Sequence, residues 1–221
     1  WAKMRQALEL DPENADAWSY KGNALSSMDR IDESVRAYER AIQLYDEEIR
    51  NGTLQAEAWD GKGIALENLG LAENNLSRYD EALKAYDKAI ETDPQDAEAW
   101  YDKGSALSTL ARFRHEPEKY NESLQAFDEA IYLKPRFALA WVAKGSVFLD
   151  QQRYEDALQA YDKALYINSA LQSAQSGRGA ALEKLGRRNE SAKSYEIALM
   201  NLDMDIQAAN SSQVLSEVWY R

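Results

Sequence analysis

Apolar and small residues return along this chain at spacings of three and four. Trp59, Gly63 and Leu66 mark one stretch, and Ala82, Ala85, Tyr86, Ala89 and Ile90 mark the next. That spacing places each set on one face of an α-helix, so it predicts two amphipathic helices in succession. The pair then repeats. Trp18, Trp59, Trp100 and Trp141 stand 41 residues apart in the blocks AWSYKG, AWDGKG, AWYDKG and AWVAKG, and a degenerate fifth copy reads AQSGRG from Ala174 to Gly179. Each block is followed by a second one: IDESVRAYERAI, YDEALKAYDKAI, YNESLQAFDEAI, YEDALQAYDKAL and NESAKSYEIAL. A fixed period of this length is the mark of stacked supersecondary units, here pairs of helices.

Two kinds of residue punctuate the pattern. Gly22, Gly63, Gly104, Gly145 and Gly179 lie inside the first helix, where glycine costs about 1 kcal/mol against alanine. Close approach of a neighbouring helix backbone is the expected compensation. Asp11-Pro12, Asp93-Pro94 and Lys134-Pro135 end the second helix, because a residue before proline is pushed out of the α region.

The order Trp, Gly, Leu or Phe in one helix, then Ala, Tyr or Phe, Ala and Pro in the next, resembles the tetratricopeptide repeat family, in its prokaryotic and archaeal style, over nearly the whole chain. The resemblance implies an all-α fold, an α-solenoid of helix hairpins wound as a right-handed superhelix. The implied layout is an N-terminal half repeat with a second helix only at 1–14, repeats with insertions at 15–55, 56–96 and 97–137, repeats at 138–171 and 172–205, and a C-terminal capping or docking helix at 206–221. The hairpins begin near Ala15, Ala56, Ala97, Ala138 and Gln172, and the last departs most, with Gln175 in the Trp column. The family unit is about 34 residues long, so three units carry seven extra. These follow the second helix from Tyr45 in the first unit, and separate the two helices from Leu71 and from Ala111 in the next two. Seven residues are nearly two helical turns, so the additions are expected to project without breaking the stack.

Composition narrows the function classes. The net charge is −12 and the pI about 4.7, which argues against nucleic acid, whose phosphates call for clustered Lys and Arg. No apolar run reaches the ~20 residues of a membrane span. Cysteine is absent and His115, in FRHEPEK, is the single histidine. Without a phosphate loop or a metal motif the expectation is a non-enzymatic protein with no cofactor and no metal. His115 reads as a solvated loop residue, and acidic runs such as Asp46-Glu47-Glu48 as solvated helix faces. The column Lys21, Lys62, Lys103, Lys144 and Arg178 has two readings, a basic ladder for an anionic partner or stems packed between helices and paired with acids; the overall charge favours the second.

By family resemblance the first helices line a groove that takes a segment of a partner protein. The outward candidates are Ser19, Asn23, Asp60, Ile64, Tyr101, Ser105, Val142 and Ser146. The Lys and Asn columns with which some relatives clamp a terminal carboxylate are missing apart from Asn23, so that ligand class is not expected.

The chain also carries five N-glycosylation triplets, at Asn51, Asn75, Asn121, Asn189 and Asn210, where its 11 Asn would give about one by chance. Asn121 and Asn189 align with helix starts, where capping residues are expected. Asn51 and Asn75 fall in insertions, and Asn210 lies beyond the last hairpin. The expectation is an exported interaction or structural protein bearing N-linked glycans at the cell surface or outside the cell; the alternative is a cytoplasmic adaptor holding a partner peptide. The chain begins at Trp1 without an initiator Met, so upstream residues are expected to have been removed, and a signal peptide or anchor could have stood among them. Trp1, Met4, Val218, Trp219 and Tyr220 at the two ends suggest copies joined head to tail into an extracellular filament.

Overall fold

The structure, a computed structural model, describes residues 8–52 and 55–219, with backbone alone for residue 205 and residues 208–219. The described residues form ten helices after a helical stretch at Leu8–Leu10. They are α1 Ala15–Ser27, α2 Ile31–Asn51, α3 Gln55–Glu73, α4 Ser77–Thr92, α5 Ala97–Arg114, α6 Pro117–Leu133, α7 Ala138–Asp150, α8 Tyr154–Ile167, α9 Gln172–Lys184 and α10 Arg188–Trp219. Consecutive pairs make five hairpins in two compact units, Trp1–Leu133 and Lys134–Arg221. In the first unit each helix packs on the next, and among the first helices α1 also touches α3 and α3 touches α5. In the second, α7 to α10 pack in sequence and α7 touches α9.

Local chemistry sets the helix ends. Asn14 caps α1 by accepting from Ala17 N–H at 2.7 Å, and Asp96 caps α5 by accepting from Glu98 and Ala99. The prolines act as expected: α4 stops at Thr92 before Asp93-Pro94, and α6 at Leu133 before Lys134-Pro135. Trp18 and Trp100 donate their indole N–H groups to the carbonyls of Pro12 and Pro94, tying the incoming turn to the next helix.

All five hairpins turn in the same way. At the end of each first helix one residue enters the left-handed region (Asp29, Asn74, His115, Gln152 and Gly186), and the following N–H bonds back to a carbonyl five residues earlier, as Arg153 does to Phe148 at 2.8 Å. Four of these positions carry a side chain where glycine would be unstrained. Gln152→Gly is therefore expected to raise the unfolding free energy by about 0.5–1 kcal/mol, measured by urea denaturation; an unchanged or lower midpoint contradicts it.

The helical glycines face aromatic rings. A Cβ on Gly104 would stand 2.7 Å from a Phe127 ring atom, and Gly22, Gly63, Gly145 and Gly179 meet Tyr38, Tyr86, Tyr161 and Tyr195 in the same manner. Each ring belongs to the second helix of the same hairpin. The close partner is thus an aromatic side chain, not a second backbone. The ring fills the space that the missing methyl leaves, so helix and ring pack without a void.

The seven-residue additions do not project. They lengthen the helices in line: α2 has 21 residues, α3 19 and α5 18, against 13 for α7 and 14 for α8. The lengthened helices bury Leu69 and Leu110 just ahead of the additions and Ala111 at the start of one, and Tyr79 joins Leu110 in a cluster with Leu66, Ala82, Tyr86 and Ala106. Arg114, in the third hairpin, clasps Asp80 of the second through both guanidinium arms at 3.0 and 2.6 Å and also reaches the Leu76 carbonyl. Because seven residues keep helical phase, the buried stripe simply continues.

The separate C-terminal helix expected over 206–221 is also corrected. α10 runs unbroken for 32 residues through position 206, since the sequence after Gly186 contains neither glycine nor proline to stop it.

Candidate functional site

The face formed by α1 and α3, together with the start of α5, holds a cavity of about 320 Å³. Four of the expected groove residues, Ser19, Asn23, Asp60 and Ile64, line it together. Ser19 is buried, at 7% exposure, and does not point outward; Asn23 is exposed and accepts a hydrogen bond from the Tyr38 hydroxyl at 2.8 Å. Tyr101 and Ser105 lie on α5 in the same unit but outside the cavity, with the Tyr101 ring packed on Phe127 at 5.8 Å between centroids. Val142 and Ser146 sit on α7 in the second unit, where Ser146 and the Tyr161 hydroxyl are 3.1 Å apart.

The cavity is acidic. Asp16, Glu57, Asp60, Asp96 and Glu98 line it alongside Tyr20 and Tyr45, and among the described lining residues there is no Lys or Arg. The Tyr45 hydroxyl donates to Asp16 at 2.5 Å. Oδ1 of Asp60 is fully buried and has no hydrogen-bond partner among the described residues. Burial, reinforced by the negative charges of Asp96 and Glu98, pushes the Asp60 carboxyl up to about 7. Asp102 on α5 rises to about 8 through burial and then through Asp60, Glu67, Glu98 and Asp96. Glu67 on α3 rises to about 7 through burial, opposed by the hydrogen bond it accepts from the Tyr86 hydroxyl at 3.1 Å. A chain of half-buried carboxyl groups therefore runs along the seam of α3 and α5.

Sequence reasoning passed over most of these acids. One signal was available: Asp16, Glu57 and Glu98 stand 41 residues apart, each two residues before a repeat tryptophan. Asp102 and Glu67 gave no such signal, since neither stands at a position where an acid recurs in step with the tryptophans.

The basic column is committed internally. Lys62 pairs with Asp46, Lys103 with Asp87, both at 2.6 Å, and Arg178 with Asp162 at 2.7 Å, each joining a first helix to the second helix of the preceding hairpin. Lys21, Lys62, Lys103 and Lys144 also lie over the rings of Trp18, Trp59, Trp100 and Trp141 at 4.1 to 5.5 Å from the centroids. These are packing stems and not a ladder. His115 is exposed, as the left-handed residue closing α5. Among the described residues no group of three or more His, Asp or Glu is placed to hold a metal ion, and no helix is long and apolar enough to cross a membrane.

The acceptor asparagines divide into groups. Asn51, the exposed last residue of α2, precedes Gly52, which closes that helix in the left-handed region. Asn75 is exposed in the turn before α4 and accepts from Ser77 N–H at 3.0 Å. Asn121 and Asn189 are exposed on α6 and α10, inside the helices and not at their caps, which corrects the capping expectation. Their partner serines are structural: buried Ser123 donates to the Gly104 carbonyl at 2.7 Å and buried Ser191 to that of Gly179 at 2.8 Å. Asn210 lies on α10 where the backbone alone is described, as do Val218 and Trp219, while Trp1, Met4 and Tyr220 lie outside the described residues.

Three profiles match the chain, described as tetratricopeptide repeat over residues 4–36, TPR repeat over 70–110 and tetratricopeptide repeat over 118–176. No curated protein sequence matches it. Solved structures share its fold. A thermophilic TPR protein of Thermus thermophilus is similar over 91% of this chain and 99% of its own, at 19% identity and a TM-score of 0.65. MamA of Desulfovibrio magneticus is similar over 86% and 96%, at 18% identity and 0.63. YrrB, described as a TPR protein with an unusual peptide-binding site, is similar over 95% and 97%, at 18% identity and 0.52. At these identities the likeness concerns the fold.

Proposed function

Because this chain belongs to the tetratricopeptide repeat family, we propose that it is a non-catalytic scaffold that holds a segment of a partner protein on the first-helix face of its first unit. The observation that carries the reading is the cavity between α1 and α3, a concave site lined by four residues of the expected groove. The peptide-binding site named for YrrB is a precedent on a similar fold. The finer part of the reading is an exported protein bearing N-linked glycans. Exposed Asn51 and Asn75, at a helix terminus and in a turn, support it; Asn121 and Asn189 are poorer acceptors, since their serines are buried and bonded. Association of copies is the third part, supported by Leu199, Met200, Leu202, Met204 and Ile206, a run of exposed apolar side chains along α10.

One experiment on protein from its native source addresses the first two. A photo-crosslinking residue in place of Tyr20, in the cavity, is expected to capture a second polypeptide, another protein or another copy, whereas the same residue in place of exposed Glu39 on α2 is not. Intact mass of the uncrosslinked chain is expected to exceed the bare polypeptide by whole sugar residues. Absence of any product from position 20 overturns the scaffold reading, and a bare mass overturns glycosylation.

A further inference from the structure

Resting on the reading that copies associate, we propose that they join head to tail, with Tyr195, Glu196 and Leu199 of α10 in one copy seated against Lys21 of α1 in the next. The template is the contact by which one hairpin holds another within the chain. The second helices offer a ring followed by an acid: Tyr45-Asp46 on α2, Tyr86-Asp87 on α4 and Tyr161-Asp162 on α8. The next first helix answers with a base, and Lys62, Lys103 and Arg178 pair with those acids at 2.6, 2.6 and 2.7 Å. Gly61 and Gly177, each just before its base, meet the rings of Tyr45 and Tyr161.

The last second helix carries the same device, Tyr195-Glu196, with no following first helix among the described residues. Its burial differs accordingly. Tyr45, Tyr86 and Tyr161 are buried, whereas Tyr195 is half-buried. Leu199, four residues after its ring, is 62% exposed, while Ile49, Ile90 and Leu165 at the same place are half-buried. Glu196 is exposed and enters no ion pair among the described residues. This face of α10 thus has the apolar and acidic features of a hairpin joint without its basic half.

The basic half stands on α1. Lys21 belongs to the column of Lys62, Lys103 and Arg178, yet among the described residues it has no ion pair and lies over the Trp18 ring at 4.1 Å. At the spacing where Lys62 and Arg178 find their acids, 16 residues back, the sequence before Lys21 has Arg5, preceded by Met4. The half repeat therefore brings Lys21 neither a ring nor an acid, and docking of a second copy exchanges Met4-Arg5 for Tyr195-Glu196. Charge makes the two faces complementary. Tyr20 stands at the position of Gly61 and Gly177, which Asp102 fills on α5, so the place is not reserved for glycine. Being 65% exposed, Tyr20 brings a second ring to Tyr195. Two different surfaces meet in this contact, so it is heterologous, and its repetition builds an open chain of copies.

The test is sedimentation equilibrium of the full chain at low salt across a concentration series. The unaltered chain is expected to grow with concentration past the dimer. Lys21→Glu and Glu196→Lys, each of which sets like charges across the contact, are expected to weaken association at least ~10-fold. Mixed in equal amounts, the two variants are expected to recover it, because every contact between unlike copies then joins opposite charges. Leu199→Glu is expected to weaken association at least ~10-fold while keeping the thermal midpoint within ~2 °C, since the side chain is largely exposed. Glu39→Lys on the exposed face of α2 is the control and is expected to leave association within about twofold. Charge variants that associate like the unaltered chain, or a mixture no more associated than its components, overturn this contact and leave association of copies standing. An unaltered chain that stays monomeric throughout overturns both.

Discussion

Gly63→Leu is expected to cost about 3 kcal/mol of unfolding free energy and to lower the thermal midpoint by about 6–12 °C. Even a bare Cβ at this position would collide with the Tyr86 ring, 2.7 Å from its Cδ1, and Tyr86 is itself fully buried, among Leu66, Ala82 and Ala106. The ring cannot retreat without opening that cluster, and α3 cannot retreat without leaving α4. The cost is overpacking, the reverse of a cavity, and it acts at the junction of two helices. Glu39→Leu on the exposed face of α2 is the control and is expected to move the midpoint by no more than ~2 °C. Circular dichroism at rising temperature measures both. A Gly63→Leu midpoint equal to that of the control would show that the glycine column is not a steric requirement.

Stability is expected to fall as pH rises from about 5 to about 8, the reverse of the usual carboxylate contribution. Asp60, Glu67 and Asp102 have folded-state values raised to about 7, 7 and 8, while in the unfolded chain such groups titrate near 4. Between those limits the folded state holds protons that the unfolded state has released, so each unit of pH weakens folding by at most ~1.4 kcal/mol per group. The contribution is complete below the unfolded value and lost as pH passes the folded ones. Asp80, held low by the Arg114 guanidinium beside it, works in the opposite sense only in more acid solution. Thermal midpoints at pH 5.5 and pH 8 are expected to differ by more than ~5 °C in favour of the lower pH, and Asp102→Asn is expected to shrink that gap by raising the higher-pH value. A midpoint that is flat, or that rises with pH, overturns this.

The columns legible in the sequence are those with a steric job repeated in every hairpin. Tryptophan, glycine, tyrosine and proline each answer a contact that recurs at the same place, so the period exposes them. The additions were misjudged because a composition such as LAENNLSRYDEA is compatible with both a projecting loop and a continued helix. Ala111 and Tyr79, buried within the additions, continue the stripe that Leu69 and Leu110 bury just before them. The hairpin turns were hidden by Asp29, Asn74, His115 and Gln152, left-handed residues that do not announce themselves as glycine would. The acidic cavity was half legible. Its Asp16, Glu57 and Glu98 column keeps step with the tryptophans, but the burial of Asp60, Glu67 and Asp102 depends on how the helices pack, and nothing local to those residues foretells it.

The ion pairs that join one hairpin to the next have a consequence for how such a chain grows. Lys62 finds its acid sixteen residues upstream, and Arg178 does the same. A whole hairpin therefore carries a base for the neighbour before it and an acid for the neighbour after it. Duplicated in frame, a hairpin would bring both halves of its own splice, so the array is extensible by unequal exchange without new complementarity having to evolve.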